Sequence, residues 1–240
     1  MTVLSVNVNK IALLRNAREG NYPDVVGFAR LALETGAAGI TVHPRPDGRH
    51  IREYDVRALR DLVTAFPGTE LNVEGYPNDA FLNLITSLNP HQVTFVPDPP
   101  EALTSSFGWD VVTHQTLVCA AVNTAHEQGI RTSLFIDETF DQLDALVDTR
   151  TDRVELYTGP YALAYPDCDA SLQHFTALAH TLTQHGIGIN AGHDLNQDNL
   201  LVLLKAVPAI AEVSIGHALT VEALQEGWKA TVESYLRLLK

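Results

Sequence analysis

Four cationic or protonatable side chains crowd into the stretch ITVHPRPDGRH, Ile40 to His50: His43, Arg45, Arg49 and His50, with Pro44 and Pro46 flanking Arg45. Ile40, Thr41 and Val42 suit a pleated strand, so the cluster sits where a strand ends. Arginines there can hold an anion. A histidine titrating near neutral pH can move protons beside it.

Further groups of this kind recur after other short apolar runs. Asn7, Asn9 and Lys10 follow the first, Glu74 ends the third, Thr104 lies beyond the fourth and Asp137 follows the fifth. Glu155 and Tyr157 belong to the sixth, Asn190, His193 and Asp194 to the seventh, and Gly216 and His217 to the eighth. Three histidines and a glutamate converging on one site would support repeated proton transfer, because a desolvated Glu can be pushed toward the His range. Other chemistries find less. There is no GxSxG elbow, and no HExxH or strand HxH for a metal. Of four lysines, Lys205 and Lys229 fall in helical patterns and Lys240 is the last residue, which leaves Lys10 for a Schiff base. No metal and no cofactor is expected.

The elements that must position these residues alternate. Strand patterns cover 3–8, 39–43, 71–74, 92–96, 132–136, 153–157, 186–190 and 212–216, and the segments between them carry helical spacing, as in Val56, Leu59, Leu62, Val63 and Phe66. Eight strand-then-helix units in 240 residues predict a (β/α)8 TIM barrel with extra helical elements, a single domain over 1–240. The doubly wound sheet lacks its GxGxxG after the first strand. In a barrel the active site lies at the C-terminal strand ends, where the residues above fall. Two segments exceed a minimal barrel: the loop DPPEALTSSFGWD, which could act as a lid, and the long helix from about Asp110, whose surplus apolar surface could cover a neighbouring subunit. A closing helix is expected over 221–239.

Composition limits the partners. The net charge of −13 argues against nucleic acid or an anionic membrane, yet nine of sixteen Lys/Arg lie in residues 1–60 and none between Asp61 and Ile130. That asymmetry favours a local anion site in a repelling field. No apolar run is long enough to span a bilayer and the N-terminus lacks a signal-peptide pattern, so a soluble, cytoplasmic protein is expected. Cys119 and Cys168 read as reduced, packed thiols. The turns INAGHDL and SIGHALT, after strands seven and eight, place Gly192 and Gly216 where barrels cradle phosphate on backbone N–H groups.

With these residues in hand, the segments VNVNKIALLRNAREGNYPD, AGITVHPRPDGRHI, LNVE, SLFID, INAGHDL and IGHA resemble, in order and spacing, the pyridoxine 5′-phosphate synthases of vitamin B6 biosynthesis. The resemblance implies a barrel, a homo-oligomer (an octamer), and condensation of 3-amino-2-oxopropyl phosphate with 1-deoxy-D-xylulose 5-phosphate, releasing phosphate and water. It implies His43 and Glu74 as proton acceptors and His193 as donor. Asn7, Arg18, Asp194, Gly216 and His217 would hold the amino ketone phosphate, and Arg45, His50 and Thr104 the sugar phosphate, with Glu155 a further acid of the site. The chain departs from the family where Asp-His gives way to Asn9-Lys10 and where Asp194 replaces a usual Gly. A carboxylate about 4 Å from a phosphate costs roughly 4 kcal/mol per charge pair at an effective dielectric of 20. Asp194 must therefore point away, be neutralised, or face another substrate. Two other readings stay open on these residues: a paralogous condensing enzyme with an altered co-substrate, and a non-catalytic barrel that senses a phosphorylated metabolite.

Overall fold

A computed structural model describes residues 1–98, 102 and 104–240. Eight parallel strands close into a barrel in chain order, each paired with its sequence neighbours and β1 with β8. The strands are β1 (Val3–Asn7), β2 (Gly39–Val42), β3 (Glu70–Gly75), β4 (Gln92–Phe95), β5 (Arg131–Ile136), β6 (Arg153–Tyr157), β7 (Gly188–Gly192) and β8 (Ile210–Ile215). Around them run α1 (Asn9–Asn16), α2 (Val25–Thr35), α3 (Glu53–Thr64), α4 (Asp79–Leu88), α5 (Val111–Glu127), α6 (Leu143–Asp148), α7 (Gly159–Ala164), α8 (Asp169–Gln184), α9 (Leu200–Ala206), α10 (His217–Glu226) and α11 (Trp228–Leu238). The expected barrel is present. Its extra helices are α1, inserted before α2, α7 before α8, and α11 at the end.

Period-two alternation assigns the two faces of every strand. Leu4, Val6, Ile40, Val42, Leu71, Val73, Val93 and Phe95 are fully buried beneath the helices. Their neighbours Ser5, Thr41, Asn72, Gln92, Thr94, Ser133, Glu155, Asn190 and Glu212 are buried too, but on the barrel side. Many of these polar groups pair with one another: Ser5 and Thr41 hydroxyls lie 2.7 Å apart, Thr94 donates to Asn72 at 3.0 Å, and Asn190 of β7 donates to Gln92 of β4 at 3.4 Å across the barrel, while the Ser133 hydroxyl and Gln92 Nε2 are buried without a hydrogen-bond partner among the described residues. The interior is a hydrogen-bonded lattice in place of branched aliphatic layers.

Strand boundaries follow the sequence reading within two residues, and β7 alone is shifted by two at both ends. Gly186 (φ +74) and Ile187 donate back to Thr183 and Leu182, closing α8, so the strand cannot start at 186 and runs on to Gly192. The expected closing helix over 221–239 is two helices, because Gly227 (φ +88) separates α10 from α11. Asp110 caps α5 by accepting from the Thr113 N–H at 2.9 Å. Val112 is the one large apolar side chain of α5 left exposed among the described residues, so the surplus apolar face expected there is mostly spent on the barrel. Of the expected lid, residues 99–101 and 103 lie outside the described residues.

The extra helix α1 has a specific task. Arg15, 2% exposed, makes a two-pronged ion pair with Asp55 at the start of α3 and donates to the His50 carbonyl at 3.3 Å. The Asn16 amide lies 3.3, 3.0 and 2.8 Å from the carbonyls of Gly48, Arg49 and His50. Asp55 also accepts from the Arg52 N–H at 2.8 Å. One helix turn thereby clamps the cation-bearing loop after β2. Removing half of a buried ion pair strands the other charge. Asp55→Asn is expected to lower stability by about 3–5 kcal/mol in urea unfolding, with less affinity for phosphate esters in the fraction that folds; a loss under 1 kcal/mol would show that the pair is dispensable.

Candidate active site

A cavity of about 360 Å³ opens at the C-terminal ends of the strands. It gathers Asn7, Asn9 and Lys10 after β1, His43, Arg45 and His50 after β2, Glu74 of β3, Thr104, Glu155 of β6, His193 and Asp194 after β7, and Gly216 and His217 after β8. Arg18 is the exception. It is exposed in the turn beyond α1 and is not among the residues lining this cavity, where the resemblance places it with the amino ketone phosphate.

Asn7, Asn9 and His43 form a relay of backbone contacts. Asn7 Oδ1 accepts from the Asn9 N–H and Asn9 Oδ1 accepts from the His43 N–H, both at 2.9 Å. Asn9 thus fixes where β2 ends. His43 Nδ1 then lies 3.7 Å from Glu74 Oε2, beyond hydrogen-bond length, with both side chains nearly buried. Burial first, then the nearby Arg45, His50 and Arg49 charges, hold His43 well below the ordinary histidine range, so it is a neutral acceptor. Burial, reinforced by Asp98 and Glu212 and opposed by Arg45, pushes Glu74 up to about 7. A neutral imidazole and a carboxyl poised between its two protonation states, facing one gap, are suited to taking and returning protons near neutral pH.

Glu155 is raised well above the carboxylate range by burial and by Glu74 and Glu212, which favours its protonated form. It needs room that only glycine leaves: a Cβ on Gly192 would stand 2.4 Å from Glu155 Oε1. A Cβ on Gly216 would likewise stand 2.8 Å from the Asn7 Cβ. Neither glycine has positive φ, so both are set by a neighbour's side chain. Positive φ falls instead on His193 (+88) and Asp194 (+57).

The cations form the other wall. His50 Nδ1 accepts from the Ile51 N–H at 2.9 Å, which leaves the ring proton on Nε2; burial and the charges of Arg45, Lys10 and Arg49 pull its pKa down to about 4. His50 is a neutral donor at pH 7. Arg45, 6% exposed, donates to Asp98 at 2.7 Å, and the Ser105 hydroxyl donates to the same oxygen at 2.6 Å. Arg49 donates to the Ala102 carbonyl at 2.8 Å and the Thr104 hydroxyl lies 2.8 Å from His193 Nε2. The loop after β4 is therefore tied to both sides of the mouth. Sequence reasoning missed Asp98, Ser105 and Phe135. Asp98 is an acid just after a strand and was findable, but its partner is 53 residues away.

The family model described as pyridoxal phosphate biosynthesis protein PdxJ matches residues 4–240. The chain belongs to the PdxJ family. Similar PdxJ relatives include the pyridoxine 5′-phosphate synthase of Porphyromonas gingivalis, 52% identical over 239 residues and 98% of each chain, and that of Bacteroides fragilis, 47% identical over the full length of both. Among solved structures, thiamine phosphate pyrophosphorylase from Pyrococcus furiosus superposes with a TM-score of 0.64 at 14% identity, covering 99% of this chain and 95% of that one, which shows the shared barrel. Among the described residues of this PdxJ member no helix is long and apolar enough to cross a membrane.

The elevated Glu74 has a consequence for stability. A carboxyl that titrates near 4.5 when unfolded and at about 7 when folded favours folding fully below 4.5 and loses that contribution as pH rises through 7. Glu74→Gln is never ionised. At pH 8 the variant is expected to be more stable than the wild type by up to about 3 kcal/mol, with the advantage vanishing near pH 4. Denaturant unfolding at the two pH values checks this; equal stability at pH 8 would mean that Glu74 ionises in the fold without penalty.

Proposed function

We propose that the protein is a pyridoxine 5′-phosphate synthase that condenses 3-amino-2-oxopropyl phosphate with 1-deoxy-D-xylulose 5-phosphate, releasing phosphate and water. The observation that carries this reading is the pairing of a neutral His43 with Glu74, whose pKa is pushed up to about 7, facing one gap beside a wall of cations, within a PdxJ chain. Two phosphorylated substrates joined through an imine need proton acceptors near neutral pH and anchors for anions, and no enzyme amine.

In this scheme Arg45 and His50, with Thr104, hold the sugar phosphate, and Lys10 adds a fixed charge. Asn7 and the N-terminus of α10 at Gly216 and His217 receive the amino ketone phosphate, where backbone N–H groups are unsatisfied by the helix. Glu74 and neutral His43 accept protons as the imine forms and rearranges. His193 returns a proton to a departing group. Because Asp194 bonds to His193, its departure from glycine does not call for a different co-substrate. A homo-oligomer, an octamer by the resemblance, would cover exposed Leu13 and Leu14 of α1 and Leu224 of α10, and a cytoplasmic location suits the biosynthetic role.

Incubating the purified protein with both substrates should yield a pyridine chromophore and inorganic phosphate in equal amounts; neither signal at high enzyme concentration would sink the proposal. Glu74→Gln should reduce kcat by ~10²–10⁴ with little change in ligand affinity. Lys10→Ala should weaken deoxyxylulose phosphate binding, read by calorimetry, by about 1.5–3 kcal/mol. Unchanged binding would remove Lys10 from the phosphate site.

A further inference from the structure

We propose that Asp194 is a positioning residue for His193, which fixes the ring proton on Nδ1 and turns Nε2 toward the cavity as the atom that exchanges protons. The inference rests on the reading of His193 as the proton donor.

The argument begins with the backbone. Two successive non-glycine residues, His193 and Asp194, hold φ of +88 and +57, a left-handed conformation that crowds Cβ against the backbone. Such strain persists where surrounding contacts over-determine it. Here they do: the Thr158 hydroxyl lies 2.7 and 2.6 Å from the Gly192 and His193 carbonyls, and the Asn199 amide donates to the Asp194 carbonyl at 3.2 Å. The pinned turn brings Asp194 Oδ2 to 3.0 Å from His193 Nδ1.

A carboxylate only accepts, so Nδ1 must be the donor. In the neutral ring Nε2 is then bare and takes the Thr104 hydroxyl proton at 2.8 Å; in the charged ring Nε2–H donates to the Thr104 oxygen. The ring is held edge-on by Tyr157 at 5.1 Å and tilted against Phe135 at 6.4 Å. Every proton that His193 exchanges therefore passes through Nε2, while Nδ1 keeps its own. The Asp194 side chain is half exposed and makes this single hydrogen bond among the described residues. An exposed pair of this kind adds little to stability, which points to orientation as its effect.

The test separates tautomer from fold. Asparagine and glycine both tolerate left-handed φ, so Asp194→Asn and Asp194→Gly should unfold within a few degrees of the wild type. In ring-¹⁵N-labelled enzyme, with His193 assigned by its loss in His193→Gln, the neutral wild-type ring should show protonated Nδ1 and bare Nε2. In Asp194→Asn the amide can donate to Nδ1, so the signals should move toward the opposite tautomer. With both substrates, Asp194→Asn should lose at least about 10²-fold in kcat with KM within roughly twofold. Asp194→Gly should lose less, because it removes the partner without supplying a wrong donor. A merely structural role predicts the reverse order, with isosteric Asn milder than Gly. A wild-type ring protonated on Nε2, a tautomer indifferent to Asp194→Asn, or Gly harming turnover more than Asn would each overturn the proposal. The nitrogen spectra decide it even if the proposed substrates prove wrong.

Discussion

Burying three carboxyl groups, Glu74, Glu155 and Glu212, inside one barrel is the constraint to which the rest of this protein answers. Burial raises all three, Glu212 adds to the rise at Glu74, and Glu74 and Glu212 together add to the rise at Glu155. Ionising the set together inside a low-dielectric interior would be prohibitive. Toward the N-terminal end of the barrel the problem is solved by charge: Arg153 lies 3.6 Å from Glu212, and Arg131 pairs with Glu70. Toward the mouth it is solved by protons. Glu155 stays protonated, and Glu74, at the rim, is balanced near neutrality.

That gradient turns a structural difficulty into a chemical asset. Arg45 could have ionised Glu74, but Asp98 accepts its N–H at 2.7 Å and adds a negative charge that raises Glu74. The same cations that keep His43 and His50 neutral form the wall where a phosphate would sit. Proton acceptors and anion anchors are thus parts of one electrostatic arrangement, held by α1 through Arg15, Asn16 and Asp55. A change at Arg45 should be felt at His43, His50 and Glu74, since its charge acts on the titration of all three.

Much of the site was legible because barrels put function at strand ends, and strand ends follow from alternation. His43, Glu74 and His193 were found that way. Arg18, named from the resemblance and not from a strand end, sits exposed in the turn beyond α1, a position that depends on how that helix packs. Asp98 and the Arg15–Asp55 pair escaped notice because partners 53 and 40 residues apart leave no local period. Gly192 and Gly216 were read as places where phosphate approaches the backbone; the groups the fold packs against them are Glu155 and Asn7, which come from other strands.

The sequence by itself determined the order and kind of the elements, the crowding of cations after the second strand, and the acids and histidines that end the others. Those are properties of local spacing, and spacing of two or of three to four residues is enough to express them. Only the tertiary structure decided the protonation states and pairings. A carboxyl or imidazole takes its pKa from burial and from charges brought near by closure of the barrel. Asp194, ambiguous as a letter after His193, gained its partner when a turn pinned by Thr158 and Asn199 folded its carboxylate back onto the ring.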